Sequence, residues 1–204
     1  MKRKLRKLCK ILLNTLLPGR RGAVCYYNQL SLRWYFTPYG RERLGDVGCG
    51  PVVCAMVAST LLDRRVTPAE AARWAWEEGF YEYHHGSLHS LIPQFFAHCG
   101  LTCRDLGGDM NLLARKLETP HSCGILLCRQ GVFSGGRHFV PVVKEKGSYR
   151  VYNSANVLTL YRRFTLEQLR DALAKENIYI GPVWWVTMVL RCIFCIPSTF
   201  GCID

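Results

Sequence analysis

The segment Gly45-Asp46-Val47-Gly48-Cys49-Gly50-Pro51 sets one thiol between two glycines, directly ahead of an apolar run over 50–62 and a proline suited to a first helical turn. A cysteine at a helix N-terminus meets the positive end of the helix dipole and unpaired backbone N–H groups, and both favour thiolate over thiol. The flanking glycines let a substrate backbone come close. Cys49 is therefore a candidate nucleophile. The competing reading is a small buried residue in a glycine-rich turn, because the chain holds 11 cysteines.

A nucleophilic thiol needs a base. Of the six histidines, His138 is the best placed, at the head of the strand-like Arg137-His138-Phe139-Val140-Pro141-Val142-Val143, with Gly135-Gly136 before it to leave the ring open to a cleft. An imidazole there can take the thiol proton and later protonate a leaving amine; the alternative is a core histidine satisfied by hydrogen bonds. The next strand signal, 149–152, runs into Asn153, one hairpin away, where an amide could bind the second ring nitrogen and fix the tautomer. Asn156 competes for that role, and an asparagine at a strand-end turn is otherwise common. Gln29, in Tyr26-Tyr27-Asn28-Gln29-Leu30, could donate with the Cys49 backbone N–H to an oxyanion on the attacked carbonyl. Alone, it would read as a surface glutamine.

The elements that must position these groups follow from pattern and capping. The chain has 204 residues, 49% of them hydrophobic, enough for one sizeable core. Helices are expected over 50–62, 67–79, 87–99 and 109–117. The second opens on Thr67-Pro68-Ala69-Glu70, a capping-box pattern with proline at the first helical position, and glycines close the second and third. Strands follow over 124–128, 137–143 and 149–152, the last two joined by the polar loop Lys144-Glu145-Lys146-Gly147. A helix over 165–175, capped by Thr165 with Gln168 three residues on, precedes a closing strand within 178–190. Helices first and strands second indicate an α+β fold, an N-terminal helical part carrying the nucleophile on an antiparallel sheet.

The net charge of +12 first suggests an anionic partner for the whole molecule. Eight basic residues and no acid fall in residues 1–21, which leaves +4 for everything else. A nucleic-acid partner would need a basic stripe on the body, so none is expected. Residues 1–21, with Leu5, Leu8, Leu12 and Leu16 at helical spacing among the lysines and arginines, read as a basic amphipathic leader suited to an anionic membrane surface, or as a solvated leader. Residues 22–190 form the expected single domain and 191–204 an apolar, cysteine-containing tail. The apolar stretch before Arg191 is too short for a bilayer span. The odd cysteine count argues against a disulfide framework, and the lone Cys192-x-x-Cys195 has no second pair at a zinc-site distance.

The stretches Tyr26-Tyr27-Asn28-Gln29, Gly48-Cys49-Gly50-Pro51, Val66-Thr67-Pro68, Gly135-Gly136-Arg137-His138-Phe139-Val140 and Tyr149-Arg150-Val151-Tyr152-Asn153-Ser154 together resemble the C thirty-nine-like bacterial cysteine peptidases. These are papain-fold relatives of the double-glycine leader peptidases of bacteriocin export. The likeness runs over about 26–185. It implies a papain-like fold, Cys49 as nucleophile, His138 as acid and base, Asn153 as orienting residue, Gln29 in the oxyanion hole, and a peptide or protein substrate. No metal or organic cofactor is implied. Two departures stand out: Asn153-Ser154 replaces a usual Asp-Pro, and His84-His85-Gly86-Ser87-Leu88-His89 replaces a tryptophan-containing, glycine-rich turn at the cleft rim.

The expected protein is a monomeric cysteine peptidase-like hydrolase working through an acyl-thioester. Transfer of the acyl group to an amine, or peptide binding without catalysis at a membrane, are the alternatives. The basic leader and the resemblance point to a membrane-associated or cell-envelope location, the unpaired thiols to a reducing one.

Overall fold

The computed structural model describes residues 20–21, 24–62, 64–173, 175–176, 179–180 and 183–188. The expected leader helix over 1–17 and the tail over 191–204 lie outside them. A short helix α1 (Leu44–Val47) runs through Gly48 into α2 (Cys49–Leu61). Next come α3 (Pro68–Glu77), α4 (Leu91–His98), β1 (Leu101–Asp105), α5 (Met110–Lys116), β2 (Ser122–Cys128), β3 (His138–Glu145), β4 (Ser148–Val151), α6 (Leu166–Ala172) and β5 (Val183–Met188). The five strands make one antiparallel sheet in the order β4-β3-β2-β5-β1.

Strand alternation sends side chains to two cores. Ile125, Leu127, Phe139 and Val186 face α2, α3 and α4 on one side, whereas Leu126, Val140, Val142 and Val151 face α5 and α6 on the other. Helix α2 is apolar all round, as a helix buried on every side must be. Val52, Val53, Met56 and Val57 are sealed, each contributing roughly 1.5–3 kcal/mol through burial. The thiol at its N-terminus is thus mounted on the most deeply buried helix described.

Both expected capping boxes form. Thr67 Oγ1 accepts the Glu70 N–H while the Glu70 carboxylate accepts the Thr67 N–H, and Thr165 and Gln168 repeat the arrangement at α6. Three expectations need correction. The third helix begins at Leu91 rather than at residue 87, because Gly86–Ser87 pairs with Tyr81–Glu82 as a ribbon and Ser87 Oγ bonds Tyr39 Oη at 2.8 Å. The polar loop between β3 and β4 shrinks to Lys146 and Gly147, both at positive φ (50° and 77°), so the strands extend through Glu145 and Ser148. Strand β1, unforeseen, precedes α5 and breaks the helices-then-strands order; β5, last in the chain, inserts between β1 and β2.

Candidate active site

Cys49 opens α2. The N–H of Gly48 closes α1 onto the Leu44 carbonyl at 2.8 Å, and Pro51 has no N–H, so the amides near the thiol are those of Cys49 and Gly50. A third comes from the sheet. Tyr152 N–H bonds the Pro141 carbonyl at 2.9 Å, which turns the polar backbone groups of alternate β3 residues, Phe139 included, toward the β4 edge. Strand β4 ends at Val151, and the Phe139 N–H meets the Cys49 thiol instead. Burial raises the thiol's pKa, with the N–H groups of Phe139, Gly50 and Cys49 acting against it; the net direction is up. At rest the group is a neutral thiol.

His138, one residue along β3, is 5% exposed, more enclosed than a ring opening freely to a cleft. Its Nε2 lies 3.0 Å from Asn153 Oδ1. The amide orientation is fixed independently: Asn153 Nδ2 donates to the Phe133 carbonyl at 2.6 Å, and Oδ1 accepts the Ala155 N–H at 2.9 Å. Oδ1 can only accept, so Nε2 carries the proton and Nδ1 keeps the lone pair a base needs. Nδ1 has no hydrogen-bond partner among the described residues. It is not sealed either, since Trp185 Nε1 is the buried unpartnered side-chain polar atom there. Burial holds the imidazole at about 4, with the Asn153 bond pulling the other way. No hydrogen bond joins Nδ1 to the Cys49 thiol in this arrangement. Asn156, the competing asparagine, instead caps the turn Val157–Tyr161 by accepting the Leu158 N–H.

Gln29 is buried and tied to the same strand end. Its N–H donates to the Ser154 carbonyl at 2.8 Å, and its Oε1 accepts from Ser154 Oγ at 3.3 Å. Its Nε2 donates to the carbonyls of Leu44 and Gly45 at 3.2 and 3.3 Å. The structure thus brings His138 to Asn153 and Gln29 to Ser154, and anchors Gln29 on the loop that leads to Cys49. The Gln29 amide is engaged with carbonyls rather than aimed freely at the thiol. Sequence reasoning missed Phe133, Ser154 and the Phe139 N–H; the Asn-Ser pair in place of Asp-Pro was the available signal.

Cys49 lines a cleft of about 700 Å³. Phe139, Leu127 and Arg137 form its sheet wall, and the ribbon with the segment after it, including Glu82, His84, His85 and His89, forms the opposite wall. Glu42 holds the ribbon, accepting from Tyr81 Oη at 2.9 Å and from the His84 N–H at 3.2 Å. Among the described residues no group of three or more His, Cys, Asp or Glu side chains is arranged to hold a metal ion. Their seven cysteines are all free, and no helix there is long and apolar enough to cross a membrane.

No model of a known protein family matches the chain, and no curated protein matches it in sequence. Among solved structures it is similar to the peptidase domain of Streptococcus ComA, a bi-functional ABC transporter involved in a quorum sensing pathway, with a TM-score of 0.50 and 14% identity over 70% of this chain and 93% of that one. The chain therefore shares with that domain a mixed α/β fold, built here on an antiparallel sheet.

Proposed function

We propose that the protein is a cysteine peptidase-like hydrolase that cleaves a peptide or amide bond through an acyl-thioester on Cys49. The observation that carries the reading is the His138–Asn153 pair. The amide is locked by Phe133 and Ala155, the imidazole tautomer follows, and the base sits one residue from the N–H that meets the thiol. A peptidase-type fold supports the same class.

Both reacting groups rest neutral, so the thiol proton passes to His138 Nδ1 as the sulfur attacks, rather than from a preformed ion pair. The Cys49 N–H meets the developing oxyanion, and Gln29 Nε2 exchanges one of its two long bonds to the loop for a second contact. His138 then gives its proton to the leaving amine. A water molecule, deprotonated by the same nitrogen, attacks the thioester carbonyl, releasing the acid and restoring the thiol. Asn153 keeps a proton on Nε2 throughout, leaving Nδ1 as the proton carrier, and being neutral it adds no charge to stabilise imidazolium.

A peptidyl chloromethyl ketone tests the reading. Alkylation mapped by mass spectrometry is expected to concentrate on Cys49 and to be lost in His138→Ala. Uniform labelling of all exposed cysteines, unchanged in His138→Ala, overturns it.

A further inference from the structure

His89 lines the same cleft as Cys49 but has no part in the mechanism above. Its ring is held at two edges: Phe139 lies at 6.0 Å and 89°, Trp184 at 6.4 Å and 76°, both edge-on. Phe139 is the residue whose N–H meets the thiol, so His89 packs on the side chain of a residue whose backbone faces the nucleophile. Among the described residues no hydrogen bond engages either of its ring nitrogens, and the residue is exposed. An exposed imidazole, held in orientation by two aromatic edges and lining the cleft with neither nitrogen bonded to the protein, can offer a polar contact to a ligand.

The charge state fits a neutral ligand. Burial and Arg137 lower the His89 pKa, while Asp105 and Glu82 act against them. At neutral pH the ring offers one N–H donor and one lone pair, which is what a peptide unit, with one C=O and one N–H, can match. Phe139, Leu127 and Leu88 supply apolar surface around it.

We propose that His89 is a substrate-binding residue that hydrogen-bonds the main chain of an extended peptide beside the scissile bond and so sets its register against Cys49. The proposal rests on the hydrolase reading above. It concerns a position that could not be assigned from the order Gln29, Cys49, His138, Asn153.

Two alkylating reagents separate binding from reactivity on the full chain. A peptidyl chloromethyl ketone must dock along the cleft, whereas iodoacetamide needs only the thiol. His89→Phe keeps the ring packing but removes both nitrogens. It is expected to lower the second-order rate of Cys49 alkylation by the peptidyl reagent about tenfold and to leave the iodoacetamide rate unchanged. His89→Gln, which retains a donor and an acceptor, is expected to recover most of the loss. Unchanged rates with both reagents, or equal slowing with both, overturn the role of His89. A wild-type protein in which the peptidyl reagent does not select Cys49 overturns the hydrolase reading instead.

Discussion

Asn153 accepts the Nε2 proton of His138 with an amide that cannot turn over. Its Oδ1 also holds the Ala155 N–H, and its Nδ2 is 2.6 Å from the Phe133 carbonyl. This explains why an aspartate would not fit here. In Asn153→Asp a carboxylate oxygen replaces Nδ2 and faces the Phe133 carbonyl, acceptor against acceptor in a buried site. The variant is expected to lose about 1–3 kcal/mol of stability, read by denaturant unfolding. Asn153→Ala is expected to lower kcat/KM about 10- to 100-fold by releasing the tautomer, a stable protein with unchanged activity being the contrary result.

Burial holds the His138 imidazole at about 4, below its value in the unfolded chain. In the unfolded chain the ring titrates near 6.5, so below that value the unfolded state binds more protons than the folded one. The contribution is complete above pH 6.5 and is lost as pH falls toward 4, by up to roughly 3 kcal/mol. His138→Gln is expected to show a flatter stability profile than wild type between pH 7 and 4. Peptide hydrolysis by the wild type is expected to keep its base through this window, with an acid limb well below the ordinary imidazole range.

The Cys49 thiol stands above its ordinary pKa because burial outweighs three backbone N–H groups. Alkylation of Cys49 by iodoacetamide is therefore expected to keep rising through and beyond pH 9, the behaviour of an unactivated thiol. A plateau below pH 7 would indicate a preformed thiolate and an ion pair with His138 that the neutral resting state excludes.

Local chemistry was legible in the sequence; long-range pairing was not. Thr67 with Glu70 and Thr165 with Gln168 announce helix starts because a cap acts over three residues. Cys49 and His138 could be singled out as candidates because a glycine-flanked thiol before an apolar run, and a histidine heading a strand, are local patterns too. Nothing in Leu101-Thr102-Cys103-Arg104-Asp105 alternates cleanly, so β1 is defined mainly by pairing with β5, about 80 residues away. The role of His89 depends on Phe139 and Trp184, distant in the chain, and Gln29 meets Ser154 across 125 positions. Such contacts exist only once the sheet has closed.

Gln29 joins two parts of the site, and its substitution is expected to show two effects together. Gln29→Ala removes the bonds to the Leu44 and Gly45 carbonyls and to Ser154 Oγ, costing about 1–3 kcal/mol of stability. Under the proposed mechanism it also removes the second oxyanion contact, and kcat is expected to fall about 100-fold or more. Ser154→Ala breaks only the side-chain bond to Gln29 Oε1 and is expected to cost about 1 kcal/mol with a small change in kcat. Equal kcat losses in the two variants would assign Gln29 to anchoring alone.

Gly86 fixes how closely the cleft ribbon approaches the nucleophile loop. Its φ is +83°, and an added Cβ would lie 2.6 Å from the carbonyl oxygen of Val47, two residues before Cys49. Gly86→Ala therefore meets both a left-handed backbone penalty and a backbone clash, and about 2 kcal/mol or more of destabilisation is expected. Relief of the clash moves the ribbon outward, carrying His84 and His85 away from the thiol, so KM for a peptide substrate is expected to rise. Gly100→Ala is the control: its φ is +74°, but nothing lies within 4 Å of the added Cβ. It is expected to lose about 1 kcal/mol from the backbone penalty while KM stays at the wild-type value. A parallel rise of KM in both variants would show that general loosening of the fold, rather than the ribbon's approach to Val47, governs access to Cys49.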